Sequence, residues 1–282
     1  MKILVALDTE DYSNKILKNV ARLAGNTLAD IIFLGIQEGT EKLAGPLADT
    51  MLKYQQDLAS CFNREESPYA DFDAEQWQEK QPGDWYMASR GMKEFTLRIR
   101  SGSIVKEVLS VARETECDLI ILGCNGTAGC EWNGEWNVPL RIAEGGPCSV
   151  LVIKDVKRVK QIVSILDQSA VSQEAMELIN QLVTLNDSGL NIVGVKGKNE
   201  RKETEIEQRI VDLLRYYNDR KISTWIKLIN SDDVQDYVTG ASVDATVALW
   251  MGGKQSLLKK IFSRTMVEKL LETSGSSLLI LR

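Results

Sequence analysis

Residues 117–126 read Cys-Asp-Leu-Ile-Ile-Leu-Gly-Cys-Asn-Gly, a short apolar run that leads directly into a loop containing glycine. An apolar run closed by glycine is typical of a strand in a parallel sheet that helices cover on both faces. The glycines allow main-chain N–H groups to approach an anionic ligand before the next helix begins. We therefore expect residues 123–137 to form the candidate binding site.

The preceding sequence supplies further strands and helices for such a sheet. An apolar run over residues 3–8 ends in Asp8, apolar residues follow at helical spacing over 12–24, and a second apolar run covers 31–36. Strand, helix and strand with short connections predict a right-handed parallel crossover unit. Ligands of such sheets bind beyond the carboxyl ends of the strands, which is where we place Asp8 and Gly123.

Residues 41–92 interrupt this pattern and are predicted to form a long insertion in the first domain. A helix is expected over residues 47–58, and the prolines, glycines and charges of residues 63–91 indicate a solvent-exposed insertion. Residues 95–100 then alternate apolar and polar side chains, as an edge or half-buried strand does.

The second half of the chain repeats the first. Residues 162–167 repeat residues 3–8, and residues 278–281 repeat residues 149–152 at a smaller offset because the insertion has no counterpart. A repeat this consistent predicts two copies of one fold unit. We expect an α/β domain at 1–155 and a second one at 160–282.

Composition excludes several classes of function. The 282 residues include no histidine, which excludes Ser-His-Asp and Cys-His catalysis and histidine-based metal sites. The net charge is −6 without a basic stripe, which argues against a nucleic-acid surface. Five cysteines without a CxxC pair indicate neither a zinc site nor a disulfide framework.

The chain is also expected to be cytoplasmic, without membrane insertion. No apolar run approaches the ~18 residues that a membrane span needs. The first residues lead directly into a strand instead of a signal-peptide core.

The sequence resembles the universal stress protein family in its tandem two-domain form, over nearly the whole chain. The resemblance rests on residues 3–8 with Ser13, and on residues 100–109, 117–126 and 147–153. It implies two tandem five-stranded parallel open sheets flanked by helices, similar to the Rossmann-like adenine-nucleotide alpha-hydrolase fold. It also implies a homodimer, or an internal pseudo-dimer of the two domains, with protein partners that the sequence does not identify.

Some family members bind ATP or a related adenine nucleotide, and the resemblance extends to that site. The binding pattern is Gly, two residues, Gly, nine residues, then Gly-Ser. Gly123 and Gly126 keep the first two glycines, but Trp136 and Asn137 replace the final pair. We expect at most weak binding of ATP with Mg²⁺ in the first domain. The implied nucleotide-binding residues are Asp8, Thr9, Ile36, Gly123, Asn125, Gly126, Asn137 and Val138.

The corresponding site of the second domain departs further from the pattern. Gly252 keeps the first glycine, Gln255 replaces the second, and residues 265–266, Thr-Met, replace the final pair. We expect no nucleotide there.

Two interpretations of single residues stay open at this point. Asp8 is either the acid that faces the adenine and ribose of a nucleotide or a helix N-cap or turn acid. Trp132 and Trp136 either stack on a base or fill the pocket with their own rings.

The leading hypothesis is a regulatory or sensor module in a stress response, without catalytic residues and without turnover. One alternative is a degenerate interaction protein that binds no nucleotide, as loss of the Gly-Ser pair in both halves suggests. The other is an adenine-nucleotide hydrolase. It ranks last because residues 8–11, Asp-Thr-Glu-Asp, stand where such enzymes have a serine- and glycine-rich phosphate loop, and acids repel phosphate.

Overall fold

The computed structural model describes residues 1–39, 42–63, 67–72, 77–124, 132, 135, 137–154, 159–166, 172–196, 200–241, 244–250 and 275–282, with the backbone alone for 200–206 and 250. The chain divides into two compact units. Unit 1 contains Met1–Asn125 and Glu131–Val156, and the main part of unit 2 is Lys157–Arg282. None of the helices in the described ranges combines the length and apolar character needed to cross a lipid bilayer.

The described residues of unit 1 form seven strands and five helices. The strands are β1 Lys2–Leu7, β2 Asp30–Gln37, β3 Gln78–Gln81, β4 Asp84–Arg90, β5 Glu94–Ser101, β6 Leu119–Gly123 and β7 Ser149–Ile153. The helices are α1 Asp11–Lys15, α2 Leu17–Thr27, α3 Gly45–Ala59, α4 Ile104–Glu114 and α5 Val138–Gly145. The predicted first helix is thus two helices, which meet at Ile16.

Five strands of unit 1 form a parallel sheet in the order β7-β6-β1-β2-β5. The side chains of Ile3–Leu7 in β1 are at most 1% exposed, because helices cover both faces of the sheet. The chain runs outward from β1 through β2 to β5 and then returns to place β6 on the other side of β1. This reversal is the topological switch point, beside which ligands of open parallel sheets bind.

Unit 2 repeats this arrangement with five parallel strands in the order β10-β9-β8-β11-β12. Taken in chain order, all five strands hold the same relative places as the five parallel strands of unit 1. The strands are β8 Gln161–Leu166, β9 Gly189–Lys196, β10 Thr224–Asn230, β11 Ala245–Trp250 and β12 Ser277–Leu281. The described helices are α6 Gln173–Asn186, α7 Glu200–Asp219 and α8 Val234–Thr239, with a short 3-10 turn at Ser231–Asp233. The predicted fold class, five parallel strands with flanking helices in each half, is confirmed.

The predicted insertion at 41–92 is more ordered than the sequence indicated. It contains the expected helix, α3, but also a hairpin of β3 and β4 that was not predicted. Strand β4 pairs antiparallel with β5 and β3 pairs antiparallel with β4, so the hairpin extends the sheet of unit 1. Strand β5 therefore lies between β2 and β4 and is not an edge strand, which corrects the interpretation of residues 95–100.

A buried ion cluster fastens this hairpin to the rest of unit 1. Arg98 donates two hydrogen bonds, of 2.8 and 2.7 Å, to the carboxylate of Asp84, and Arg100 donates a third of 3.1 Å. Both arginines also reach Glu114 in α4 at 2.8–2.9 Å. Burial by itself would raise the pKa of Asp84, but the hydrogen bonds from the arginines outweigh it and lower that pKa. The two arginines of β5 thereby join the hairpin, through Asp84, to helix α4, through Glu114.

Candidate functional site

The switch point of unit 1 brings together the two sequence positions that the strand pattern singled out. Strands β1 and β6 are parallel neighbours with Ala6 opposite Leu122, so Asp8 and Gly123 lie at the same edge of the sheet. The residues packed there come from α1, α3, the end of β6 and two loops. We call them the carboxyl-end cluster, which consists of Asp8, Tyr12, Ser13, Tyr54, Gly123 and Trp132.

The carboxylate of Asp8 is buried and bonded within the protein. Its Oδ1 atom accepts hydrogen bonds from the Ser13 hydroxyl at 2.6 Å and from the Glu10 N–H at 3.0 Å. Its Oδ2 atom accepts from the hydroxyl of Tyr12. The N–H of Asp8 in turn donates to Ser13 Oγ at 3.0 Å. Asp8 is 3% exposed, and this set of bonds is the arrangement expected of a turn acid that orders the start of α1.

Two tyrosines keep this turn in place. The Tyr12 ring lies against Gly123, where an added Cβ would come within 2.8 Å of Tyr12 Cδ2. Tyr54, from α3, donates its hydroxyl to the main-chain carbonyl of Asp8 at 3.0 Å. Burial, with a smaller effect of the Asp8 charge, raises the pKa of Tyr54 to about 12. Burial and the hydrogen bond to Asp8 also raise the pKa of Tyr12, so both hydroxyls stay protonated donors at neutral pH.

Trp132 fills the space beyond the end of β6. Its indole is 2% exposed, its Nε1–H donates to the carbonyl oxygen of Gly123 at 3.1 Å, and its ring lies 5.8 Å from that of Tyr12. Reciprocal main-chain hydrogen bonds join Trp132 to Glu135, whose carboxylate accepts from Arg141 in α5 at 2.9 Å. Of the two interpretations of this residue, the structure favours the one in which its ring fills the pocket. Trp136 lies outside the described residues.

The other predicted site residues are not part of the carboxyl-end cluster. Thr9 is exposed beside Asp8, and Ile36 is buried at the carboxyl end of β2. Residues 125–126, Asn-Gly, lie outside the described residues, as do Asp167 and the positions compared in the second domain between 252 and 266.

Asn137 and Val138 mark the start of α5. Asn137 has a left-handed backbone, with φ of 57°, and its carbonyl oxygen accepts the N–H of Arg141. The side chain of Val138 is completely buried.

Sequence reasoning missed the contributions of Tyr12 and Tyr54. Tyr12 stands one residue before Ser13, four residues after Asp8, so the local spacing offered a signal for its contact. Tyr54 is 46 residues from Asp8 along the chain, and only the packing of α3 shows that the two meet.

The described residues of the carboxyl-end cluster are bonded to one another. Trp132 and Tyr12 cover Gly123, where main chain would have to approach phosphate, and the Asp8 carboxylate is already bonded to three donors. No group of three or more Cys, Asp or Glu side chains among the described residues is arranged to hold a metal ion. Cys124, which follows Gly123, is disulfide-bonded, which the cysteine count did not predict.

The fold is that of an α/β protein of the open parallel-sheet class, with the carboxyl-end cluster at the switch point of unit 1. The sequence profile of the universal stress protein family matches residues 1–154. The chain belongs to that family. No curated protein sequence matches the chain.

Solved structures share the fold across both units. A protein of unknown function from Pseudomonas aeruginosa PAO1 is 16% identical and aligns over 99% of this chain and 92% of its own, with a TM-score of 0.61. A universal stress protein from Archaeoglobus fulgidus DSM 4304 is 12% identical and aligns over 100% and 96%, also at 0.61. A universal stress protein in complex with cAMP aligns over 55% of this chain and 96% of its own, at 15% identity and a TM-score of 0.38.

Proposed function

We propose that this chain is a tandem stress-response protein that acts as a regulatory module through its surfaces, and that its own side chains close the nucleotide position of the first domain. The observation behind this proposal is the buried indole of Trp132, whose N–H is bonded to the carbonyl of Gly123. With Tyr12, this ring occupies the place beyond β6 where the family resemblance puts a nucleotide. This favours the interaction-protein hypothesis over routine nucleotide binding.

The proposed role requires no turnover. The chain has no histidine, and the Asp8 carboxylate is occupied by the hydroxyls of Tyr12 and Ser13 and by a main-chain N–H. A buried carboxylate bonded in this way is not placed to activate water or to hold Mg²⁺.

The tandem form is part of the proposal. The parallel strands have the same order in both units, and the Archaeoglobus fulgidus relative aligns over the whole chain. We propose that unit 2 is a second copy of the family domain, so that one chain supplies both halves of a pseudo-dimer. Light scattering of the purified chain distinguishes a monomer of this kind from a homodimer. The cytoplasmic location stays a prediction.

Weak binding of ATP with Mg²⁺ in the first domain is the second candidate. Its support is the position of Asp8 and Gly123 at the switch point, where ligands of this fold class bind. Binding there requires the Trp132 ring to leave. The two candidates therefore differ in whether the closed arrangement persists when nucleotide is present.

Isothermal titration with ATP and Mg²⁺ tests the proposal, after mass spectrometry has shown whether the purified protein carries nucleotide. We expect no binding to the natural chain and measurable binding to Trp132→Ala. Trp225→Ala, which removes an exposed indole from unit 2, is the matched control and should not bind. Binding near one nucleotide per natural chain, or Trp132→Ala that folds without gaining affinity, overturns the proposal.

A further inference from the structure

Two thiols lie in contact at the end of the unit 1 sheet opposite the carboxyl-end cluster. The Sγ atoms of Cys117 and Cys148 are 3.5 Å apart. Cys117 shortly precedes β6 and Cys148 directly precedes β7, and these strands are parallel neighbours with Leu119 opposite Ser149. The sheet register therefore sets the two thiols side by side, although 30 residues separate them in the chain.

We propose that this thiol pair is a site of reversible oxidation, at which a hydroperoxide converts Cys117 and Cys148 into a disulfide. A disulfide bond is about 2.05 Å long, so the sulfurs have to approach by about 1.5 Å. Rotation of the two side chains supplies much of a movement of that size. Cys61 differs, because it is exposed and its sulfur contacts the carbonyl of Asp57 instead of another thiol.

Exposure sets the order of the two steps. Cys148 is half-buried and Cys117 is 5% exposed, so the peroxide reaches Cys148 first. The Cys148 sulfur attacks the outer peroxide oxygen, the O–O bond breaks, and the products are a sulfenic acid and an alcohol, or water when the oxidant is hydrogen peroxide. Cys148 is oxidised by two electrons and the peroxide is reduced by two.

The second step closes the disulfide. The Cys117 sulfur attacks the sulfur of the Cys148 sulfenic acid, the S–O bond breaks, and the hydroxyl leaves as water with the proton of the Cys117 thiol. In sum, two thiols and one hydroperoxide give one disulfide, one alcohol and one water. A thiol reductant reverses the change by exchange.

The environment of Cys117 slows its direct oxidation, and contact with Cys148 is what favours the second step. The hydrogen bond with Cys148 and burial both raise the pKa of the Cys117 thiol. A protonated, buried thiol reacts slowly with free oxidant. Its reaction with a sulfenic acid held in contact is intramolecular and is favoured by proximity. Cys117 is thus shielded until Cys148 has been oxidised.

The bond would close a ring of chain from residue 117 to residue 148. That ring contains β6, Trp132 and α5, which supply one side of the carboxyl-end cluster. The proposal rests on the thiol geometry alone and holds whether or not the first domain binds a nucleotide.

Peptide mapping of the full chain tests the proposal. Trypsin releases Cys117 in peptide 114–141, together with Cys124 and Cys130, and Cys148 in peptide 142–154. The disulfide joins these two peptides, and fragmentation of the joined pair assigns the bond to Cys117. Cys61→Ser removes the exposed thiol and serves as the background. After hydrogen peroxide and alkylation without reductant, we expect the joined peptides, and dithiothreitol should restore both thiols.

Variants identify the pair. Cys148→Ser should leave the Cys117 thiol open to alkylation only after unfolding, and Cys117→Ser should let Cys148 proceed beyond the sulfenic acid. Circular dichroism checks that each variant is folded. The disulfide of the natural pair is mapped in protein that keeps both Cys117 and Cys148. The proposal is overturned if peptides 114–141 and 142–154 stay separate after peroxide, whether Cys148 is unchanged or oxidised on its own.

Discussion

The indole N–H of Trp132 donates a hydrogen bond of 3.1 Å to the main-chain carbonyl of Gly123, the last residue of β6. This bond joins the loop after β6 back to the strand that it leaves. It gives the buried indole a partner for its polar atom, as buried tryptophans generally require. Together with the Tyr12 ring, the same contact covers Gly123.

Replacing this ring is therefore expected to reduce stability. Trp132→Ala should lower the free energy of unfolding by about 3–5 kcal/mol, because it leaves a cavity between β6 and Tyr12. Trp132→Phe keeps most of the packing and loses the hydrogen bond, which predicts a smaller loss. Trp225→Ala should change stability by less than about 0.5 kcal/mol, since that side chain is 59% exposed. Urea unfolding followed by circular dichroism measures all three, and equal losses for Trp132→Ala and Trp225→Ala would contradict the placement.

Gly123 is predicted to tolerate no side chain. A Cβ there would lie 2.8 Å from Tyr12 Cδ2 and 3.2 Å from the Tyr12 carbonyl oxygen. Gly123→Ala should cost about 1–3 kcal/mol of stability through overpacking. The control is Gly45→Ala at the start of α3, where a Cβ meets no atom within 4 Å. That change should be neutral or stabilising by up to about 1 kcal/mol, and a Gly123→Ala variant as stable as this control would show that Tyr12 does not pack on β6.

Much of the fold followed from the sequence because its signals were local. Buried parallel strands need continuous apolar runs, and β1, β6 and β7 each have one. The proximity of Asp8 and Gly123 followed from the rule for switch points. The hairpin was harder to predict, because every residue of β3, Gln78–Gln81, is exposed and polar. It forms a strand only because β4 pairs with it.

Part of the hairpin nevertheless has a sequence signal. Pro82 and Gly83 form a two-residue turn in which Gly83 has φ of 79°, and β4 then alternates buried Trp85 and Met87 with more exposed side chains. The contents of the site were not predictable in the same way. The sequence allowed Trp132 either to stack on a base or to fill the pocket. Only its hydrogen bond to Gly123 in the structure distinguishes these two roles.

The buried cluster around Asp84 predicts a loss of stability in acid. The pKa of this carboxyl is lower in the folded protein than in the unfolded chain, where it is about 3.9. The stability that the Asp84 carboxylate contributes is therefore fully present above the unfolded-state pKa. It is lost as the pH falls through the folded-state pKa. Asp84→Asn should cost up to about 3–5 kcal/mol at pH 7, because Arg98 and Arg100 stay buried and lose the more deeply buried of the carboxylates that pair with them.

Unfolding curves at neutral and acid pH test this together with an exposed control, Asp49→Asn. The natural chain and the control should lose more stability on acidification than Asp84→Asn does. Identical acid losses in all three proteins would show that Asp84 does not titrate as part of the cluster.

Oxidation of the thiol pair should stabilise unit 1. A disulfide between Cys117 and Cys148 closes a ring of roughly 30 residues, for which the chain-entropy relation gives about 3–4 kcal/mol if the bond forms without strain. In the Cys61→Ser background, peroxide-treated protein with the mapped disulfide should therefore unfold at higher urea concentration than untreated protein, in which Cys117 and Cys148 are reduced and the disulfide of Cys124 is kept. Cys148→Ser, treated in the same way, should show no such shift. A treated protein that holds the disulfide and unfolds earlier than the reduced form would show that the sheet register opposes the bond, since the strands would then have to distort to bring the sulfurs together.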